Sequence, residues 1–129
     1  MAKVLGIGGL FFKARDKDAT REWYTRVLGL EREAWGGTVW RPEGMAGQPG
    51  AATVFNIMGD DSDYIEPSKA EFMFNLVVDD LDGVLARAKA QGVEPVKLFP
   101  DEGQGKFAHI LDPDGRKIEL WEPKPMPKS

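Results

Sequence analysis

Residues 7–30 read IGGLFFKARDKDATREWYTRVLGL, and residues 72–93 read FMFNLVVDDLDGVLARAKAQGV. Both stretches run in one order: an apolar strand, an Asp-containing helix start, an amphipathic helix and a glycine exit. Asp16 and Asp18 align with Asp80 and Asp82, and Gly29 aligns with Gly92 after a one-residue gap. An internal repeat of this kind predicts two fused copies of a small strand–helix unit facing each other across a cleft. Function is expected in that cleft.

The bulk properties fit one domain. A chain of 129 residues buries a core without covalent staples. It has no cysteine, which excludes disulfides, thiolate chemistry and Cys-based metal sites. No run approaches the roughly 20 apolar residues that span a bilayer, so no membrane association is expected. The opening MAKVLGIGGLFF carries a lysine before an apolar stretch but no small-residue cleavage motif, and reads as a strand. The expected location is cytoplasmic. A formal charge of −4, with Lys and Arg dispersed, argues against a nucleic-acid partner.

The first unit is expected over 4–58, a polar linker over 59–70, the second unit over 71–123 and a Pro- and Lys-rich frayed tail over 124–129. Strand Val4–Ala14 precedes a helix capped by Asp16 or Asp18, whose carboxylate accepts orphan N–H groups. Trp23, Tyr24, Val27 and Leu28 form its apolar side, and Gly29 ends it in the left-handed region. Arg32–Trp35 and Thr38–Arg41 are expected to pair around Gly36-Gly37. Pro42–Ala51 is a loop, and Ala52–Met58 is a strand. In the second unit, strands at Glu71–Val78, Val96–Phe99, Lys106–Leu111 and Arg116–Glu122 surround a helix over about Leu81–Gln91. Each unit thus reads βαβββ. The fold class is α+β, two βαβββ modules forming cupped mixed sheets around a cleft, because one helix covers only one face of its sheet.

Asp112-Pro113-Asp114-Gly115 is the most specific local signal. Proline suits the second position of a type I turn, and Gly115 suits the left-handed residue that closes a G1 bulge. The resulting register pairs Asp112 with Arg116, Leu111 with Lys117, Ile110 with Ile118, His109 with Glu119 and Phe107 with Trp121. Alternation then puts His109, Glu119, Phe107 and Trp121 on one face. Ala108, Ile110, Ile118 and Leu120 occupy the other, apolar face, which belongs against the helices. His109, the only histidine, opposes a carboxylate and is a candidate proton donor or anion contact. The same pair also serves as an ordinary cross-strand contact. In the second unit's first strand, Met73, Asn75 and Val77 face the cleft, with Asn75 able to orient a ligand. In the first unit's strand, Phe11 lies on the side of Ile7, Gly9 and Lys13.

The paired units, RDKDATREWYTRVLGL, FNLVVDDLDGVLARAKAQGVE and the closing ILDPDGRKIELWEP resemble the glyoxalase/bleomycin-resistance/extradiol-dioxygenase superfamily, the vicinal oxygen chelate fold. The resemblance covers about Val4–Pro123. It implies metal-ligand positions at Gly9, near Phe55, at Met73 and at Glu119. Glycine, phenylalanine and methionine do not replace imidazole or carboxylate for such ions, and His109 adds one ligand at most. No cofactor and no complete metal site are therefore expected. In the related fosfomycin-resistance thiol transferases, the residue three before this turn looks like a substrate-contacting tyrosine, which places His109 toward a ligand.

Three readings follow. The first is a glyoxalase/bleomycin-resistance-like protein binding a small organic molecule. Its polar pair is His109 and Glu119, and Phe11, Met73, Asn75, Phe107 and Trp121 contact the ligand. Trp35 and Trp40 are further stacking candidates. The second is a glyoxalase-type lyase or isomerase in which His109 and Glu119 act as catalytic acid and base. The third is a non-enzymatic interaction protein whose groove its own side chains fill. A homodimer is expected, because family members commonly pair units between chains and a lone cupped sheet exposes apolar surface.

Overall fold

A computed structural model describes residues 2–125, in the order α1 (Lys17–Leu28), α2 (Pro42–Ala46), β1 (Phe74–Val77), α3 (Leu81–Ala90), β2 (Lys97–Leu98), β3 (Gly105–Leu111) and β4 (Lys117–Pro123). The two long helices start alike. Asp16 Oδ1 accepts from the Ala19 N–H, and Asp80 Oδ1 accepts from the Gly83 N–H, each at 3.0 Å. These are the repeat's aligned aspartates, and each satisfies a donor that the first helical turn leaves free. Gly29, at φ 75°, ends α1 in the left-handed region. The Pro- and Lys-rich end beyond residue 125, expected to fray, lies outside the described residues.

The second unit forms an open four-stranded mixed sheet in the order β1-β4-β3-β2. β1 runs parallel to β4, and the other neighbours are antiparallel. α1 packs on α3, and α3 lies on β3 and β4. Val27, Ala88, Ala108, Ile110, Ile118 and Leu120 are fully buried between the layers. Burying each of the larger aliphatic chains contributes about 1.5–3 kcal/mol.

The Asp112–Gly115 turn sets the register. Asp112 N–H donates to Arg116 O and Gly115 N–H to Asp112 O, both at 2.9 Å, with Gly115 at φ 82°. The observed partners His109↔Glu119, Phe107↔Trp121 and Ile110↔Ile118 are those the turn predicts. The turn is also a joint between units. Asp112 Oδ2 accepts from the Tyr24 hydroxyl at 2.7 Å and from Arg116 Nη1 at 2.8 Å. Arg15 Nε reaches Asp114 Oδ1 at 2.7 Å, and Arg116 also donates to the carbonyl of Lys13.

The first unit departs from the sequence expectation. Its helix packs as expected, with Trp23 and Tyr24 in the core. Its proposed strands Val4–Ala14, Arg32–Trp35, Thr38–Arg41 and Ala52–Met58 join no sheet. The Gly36-Gly37 turn does form, with Glu33 N–H on Gly37 O at 2.8 Å, and Pro42–Ala51 holds α2 where a plain loop was expected. Proline in the first turn of α2 is compatible with helix because that N–H has no intrahelical acceptor. A strand exists only when an edge pairs with it, and nothing within the described chain pairs with these segments. Many of their apolar side chains stand in solvent, with Val4 91%, Phe11 92%, Phe55 79% and Ile57 82% exposed, while Phe12 stacks on Phe74 with ring centroids 5.7 Å apart. The strands of the second unit keep their order but differ at their ends, β1 beginning at Phe74 where Glu71 was expected.

Candidate ligand-binding site

One face of the sheet packs on the helices, so the alternate side chains of the same strands point away from them. Along β4 these are Lys117, Glu119 and Trp121, and along β3 they are Phe107, His109 and Leu111. β1 contributes Asn75 beside Glu119, and β2 contributes Lys97 beside His109. The sheet register thus converges an imidazole, a carboxylate, an amide and an amine.

Glu119 is the hub. His109 Nε2 lies 2.8 Å from its Oε2, and Asn75 Nδ2 donates to Oε1 at 2.9 Å. The hydroxyl of Tyr64 donates to Oε2 as well. Burial works against the charge of Glu119, but hydrogen bonds from His109, Tyr64 and Asn75 outweigh it and hold the carboxyl below its usual range. A carboxylate only accepts, so the proton in the His109 contact sits on Nε2. His109 Nδ1 is buried without a hydrogen-bond partner. Burial, then the hydrogen bond to Glu119 and its charge, push the Tyr64 phenol far above 10, so it stays protonated.

Tyr64 belongs to the segment that connects the units, which the sequence suggested was only a polar linker. It crosses this face of the sheet, and Lys117 holds it there. The Lys117 amine donates to the carbonyls of Tyr64 at 2.6 Å and Glu66 at 2.8 Å. Burial and the neighbouring Lys97 lower the pKa of Lys117.

Aromatic rings continue from the polar hub. The Tyr64 ring meets His109 edge-on at 5.2 Å, and Phe99 lies 4.8 Å from His109 and 6.2 Å from Phe107. Phe107 and Trp121 are stacked, with centroids 5.8 Å apart and planes 7° from parallel. Trp121 Nε1 donates to the Gln104 carbonyl at 2.9 Å, which fixes the indole's orientation.

Of the residues singled out in the sequence, His109, Glu119, Asn75, Phe107 and Trp121 meet on this face. Met73 precedes β1 on the same alternation and is half-buried. Phe11 is not brought to the cluster; it stands on the unpaired N-terminal segment and takes no part in the aromatic row. Trp35 and Trp40 also lie outside the row and are 68% and 63% exposed. Sequence reasoning missed Tyr64, Lys117, Phe99 and Lys97. The available signal was Lys117, a cation at an inward register position whose amine needs acceptors from outside the sheet.

A cavity of about 450 Å³ lies elsewhere, between Leu30, Val39, Trp40, Val84 and Leu120 on the helix side of the sheet. A smaller one of about 280 Å³ follows the edge of the crossing segment, between Asp63, Tyr64, Lys97 and Lys117. Among the described residues, no three His, Cys, Asp or Glu side chains gather into a ligand set. Of the metal positions implied by the resemblance, Gly9, Phe55 and Met73 lack nitrogen or oxygen side-chain donors. Glu119 Oε2 already accepts from His109 and Tyr64. These residues do not fit a divalent ion.

The sequence model of the Glyoxalase/Bleomycin resistance protein/Dioxygenase superfamily matches residues 7–120. The chain belongs to this superfamily. Several solved structures are similar to it. A protein from the mobile metagenome of V. pseudocholerae is 20% identical, with 92% of this chain and 96% of that one covered and a TM-score of 0.49. TioX from a Micromonospora species is 21% identical, with 83% and 87% covered and a TM-score of 0.47. TnmS3 from a Streptomyces species, described as an antibiotic binding protein, is 18% identical, with 84% and 88% covered and a TM-score of 0.47. No curated protein matches the chain. No described helix is long and apolar enough to cross a membrane.

Proposed function

We propose that this superfamily member binds a planar aromatic small molecule on the helix-free face of its sheet, without using a metal ion. The observation that carries this is the parallel Phe107–Trp121 stack beside a half-buried, hydrogen-bonded carboxylate. Stacked rings offer a flat apolar surface that favours another ring, while the neighbouring polar cluster fixes which way it lies. A second copy of the chain completes the structure in this reading. β1 leaves one edge of the sheet open, and the first unit exposes extended apolar segments able to pair with such an edge.

Calorimetric titration with proflavine, a planar aromatic dye, tests the ligand class. Binding that weakens at least tenfold in Trp121→Leu supports the reading. Absence of binding, or equal affinity in the variant, contradicts it.

A second reading, a lyase or isomerase using His109 and Glu119, is favoured by their 2.8 Å contact. It is the weaker of the two, because a carboxylate held below its usual pKa by three donors is a poor base. Turnover of a carbonyl substrate that His109→Gln abolishes would establish it.

A further inference from the structure

The segment over residues 59–70 satisfies itself mainly through local turns, such as Ser62 N–H to Gly59 O and Glu66 N–H to Asp63 O. The hydrogen bonds that tie it to the sheet come from the Lys117 amine and the Tyr64 hydroxyl. The first grips only backbone carbonyls. The second is, among the described residues, the one bond that joins a side chain of the segment to a side chain of the sheet. A phenol therefore occupies the middle of the face proposed to take a ligand.

The surroundings of that phenol amount to a recognition set. Its hydroxyl donates to an ionised carboxylate, its ring meets the edge of His109, and the Lys117 ammonium lies 5.4 Å from its ring centroid. Each contact selects chemistry. Glu119 repels an anionic group and needs a donor. The ammonium over the ring favours an electron-rich π face. A ring lacking a donor leaves Glu119 Oε2 with His109 as its one donor, and a half-buried carboxylate that loses a charge-assisted hydrogen bond is destabilised. The unpartnered Nδ1 of His109 shows that the chain alone does not satisfy every polar atom of this face.

We propose that the ligand carries a neutral aromatic hydroxyl, and that Tyr64 holds that hydroxyl's seat on Glu119 until the ligand displaces it. This rests on the aromatic-ligand reading above and narrows it to phenols. Displacement breaks the Tyr64–Glu119 bond and reforms it with the ligand, while the Lys117 contacts to the backbone act as the hinge.

The test compares 2-naphthol with 2-methoxynaphthalene, which share a ring system but differ in the donor. Both are titrated calorimetrically at neutral pH into the wild-type protein and Tyr64→Ala. The wild type is expected to bind 2-naphthol at least tenfold more tightly than the ether. Tyr64→Ala is expected to tighten 2-naphthol about tenfold, because its internal competitor is gone, and Tyr64→Phe is expected to tighten it too. Equal affinity for the two compounds overturns the hydroxyl requirement. Unchanged or weakened 2-naphthol binding in Tyr64→Ala overturns the shared seat. If neither naphthalene binds either protein, the proposal fails. In every case the wider aromatic-ligand reading is judged separately, by proflavine and Trp121→Leu.

Discussion

Across the β3–β4 pair, His109 Nε2 lies 2.8 Å from Glu119 Oε2, and the Tyr64 hydroxyl donates to that same oxygen. The sheet supplies the first contact and the connecting segment supplies the second. The carboxylate is thereby a structural tie at the centre of the proposed site.

That tie has a pH signature. The folded state holds the carboxyl of Glu119 below its ordinary 4.5. Its contribution to stability is therefore complete above about pH 4.5 and is lost as pH falls through the lower folded value. Urea denaturation is expected to show Glu119→Gln less stable than wild type at pH 7 by about 1–3 kcal/mol. The gap should narrow toward pH 3. A gap that stays constant over this range would contradict the assignment.

Tyr24 predicts the opposite pH dependence. Burial, the hydrogen bond to Asp112 and the Asp112 charge push its phenol far above 10. Stability from this group is complete below about pH 10 and is lost as pH rises through the folded value. Tyr24→Phe removes the 2.7 Å bond between the first unit's helix and the second unit's turn. It is expected to cost about 1–2 kcal/mol at pH 7 and to soften the alkaline loss. Thermal unfolding between pH 7 and 11 checks both.

How much of this was legible in the sequence follows from which interactions are local. The Asp112–Gly115 turn fixes its hairpin because Gly115 must take a left-handed conformation and the side-chain period is two. The register, and with it the His109–Glu119 pair, came directly. Asp16 and Asp80 announced their helices because capping acts within three residues. The first unit's strands were another matter. Alternation in Val4–Ala14 says that a strand is favoured, not which edge receives it, and within the described chain the segment pairs with none. Tyr64 was invisible because its neighbours, GDDSDYIEPSKA, have the composition of a loop. Only the buried Lys117 demanded that something cross the face above it.

The exposed strand segments supply a further prediction. Phe11 is 92% exposed and lies outside the hydrophobic core, so Phe11→Ser should change chain stability by less than about 0.5 kcal/mol. If two copies pair through these segments, the same change should weaken the dimer at least tenfold in analytical ultracentrifugation. A dimer indifferent to Phe11, or a wild-type monomer at micromolar concentration, contradicts the pairing.

The central claim is that the Phe107–Trp121 stack is the floor of a ligand site. A crystal structure of the protein with proflavine tests it most directly. The account predicts the dye parallel to the Trp121 indole, with ring atoms within about 4 Å, on the face that carries Glu119. Dye seated instead in the cavity of about 450 Å³ between Leu30, Trp40 and Leu120, with the Trp121 face bare, would contradict it.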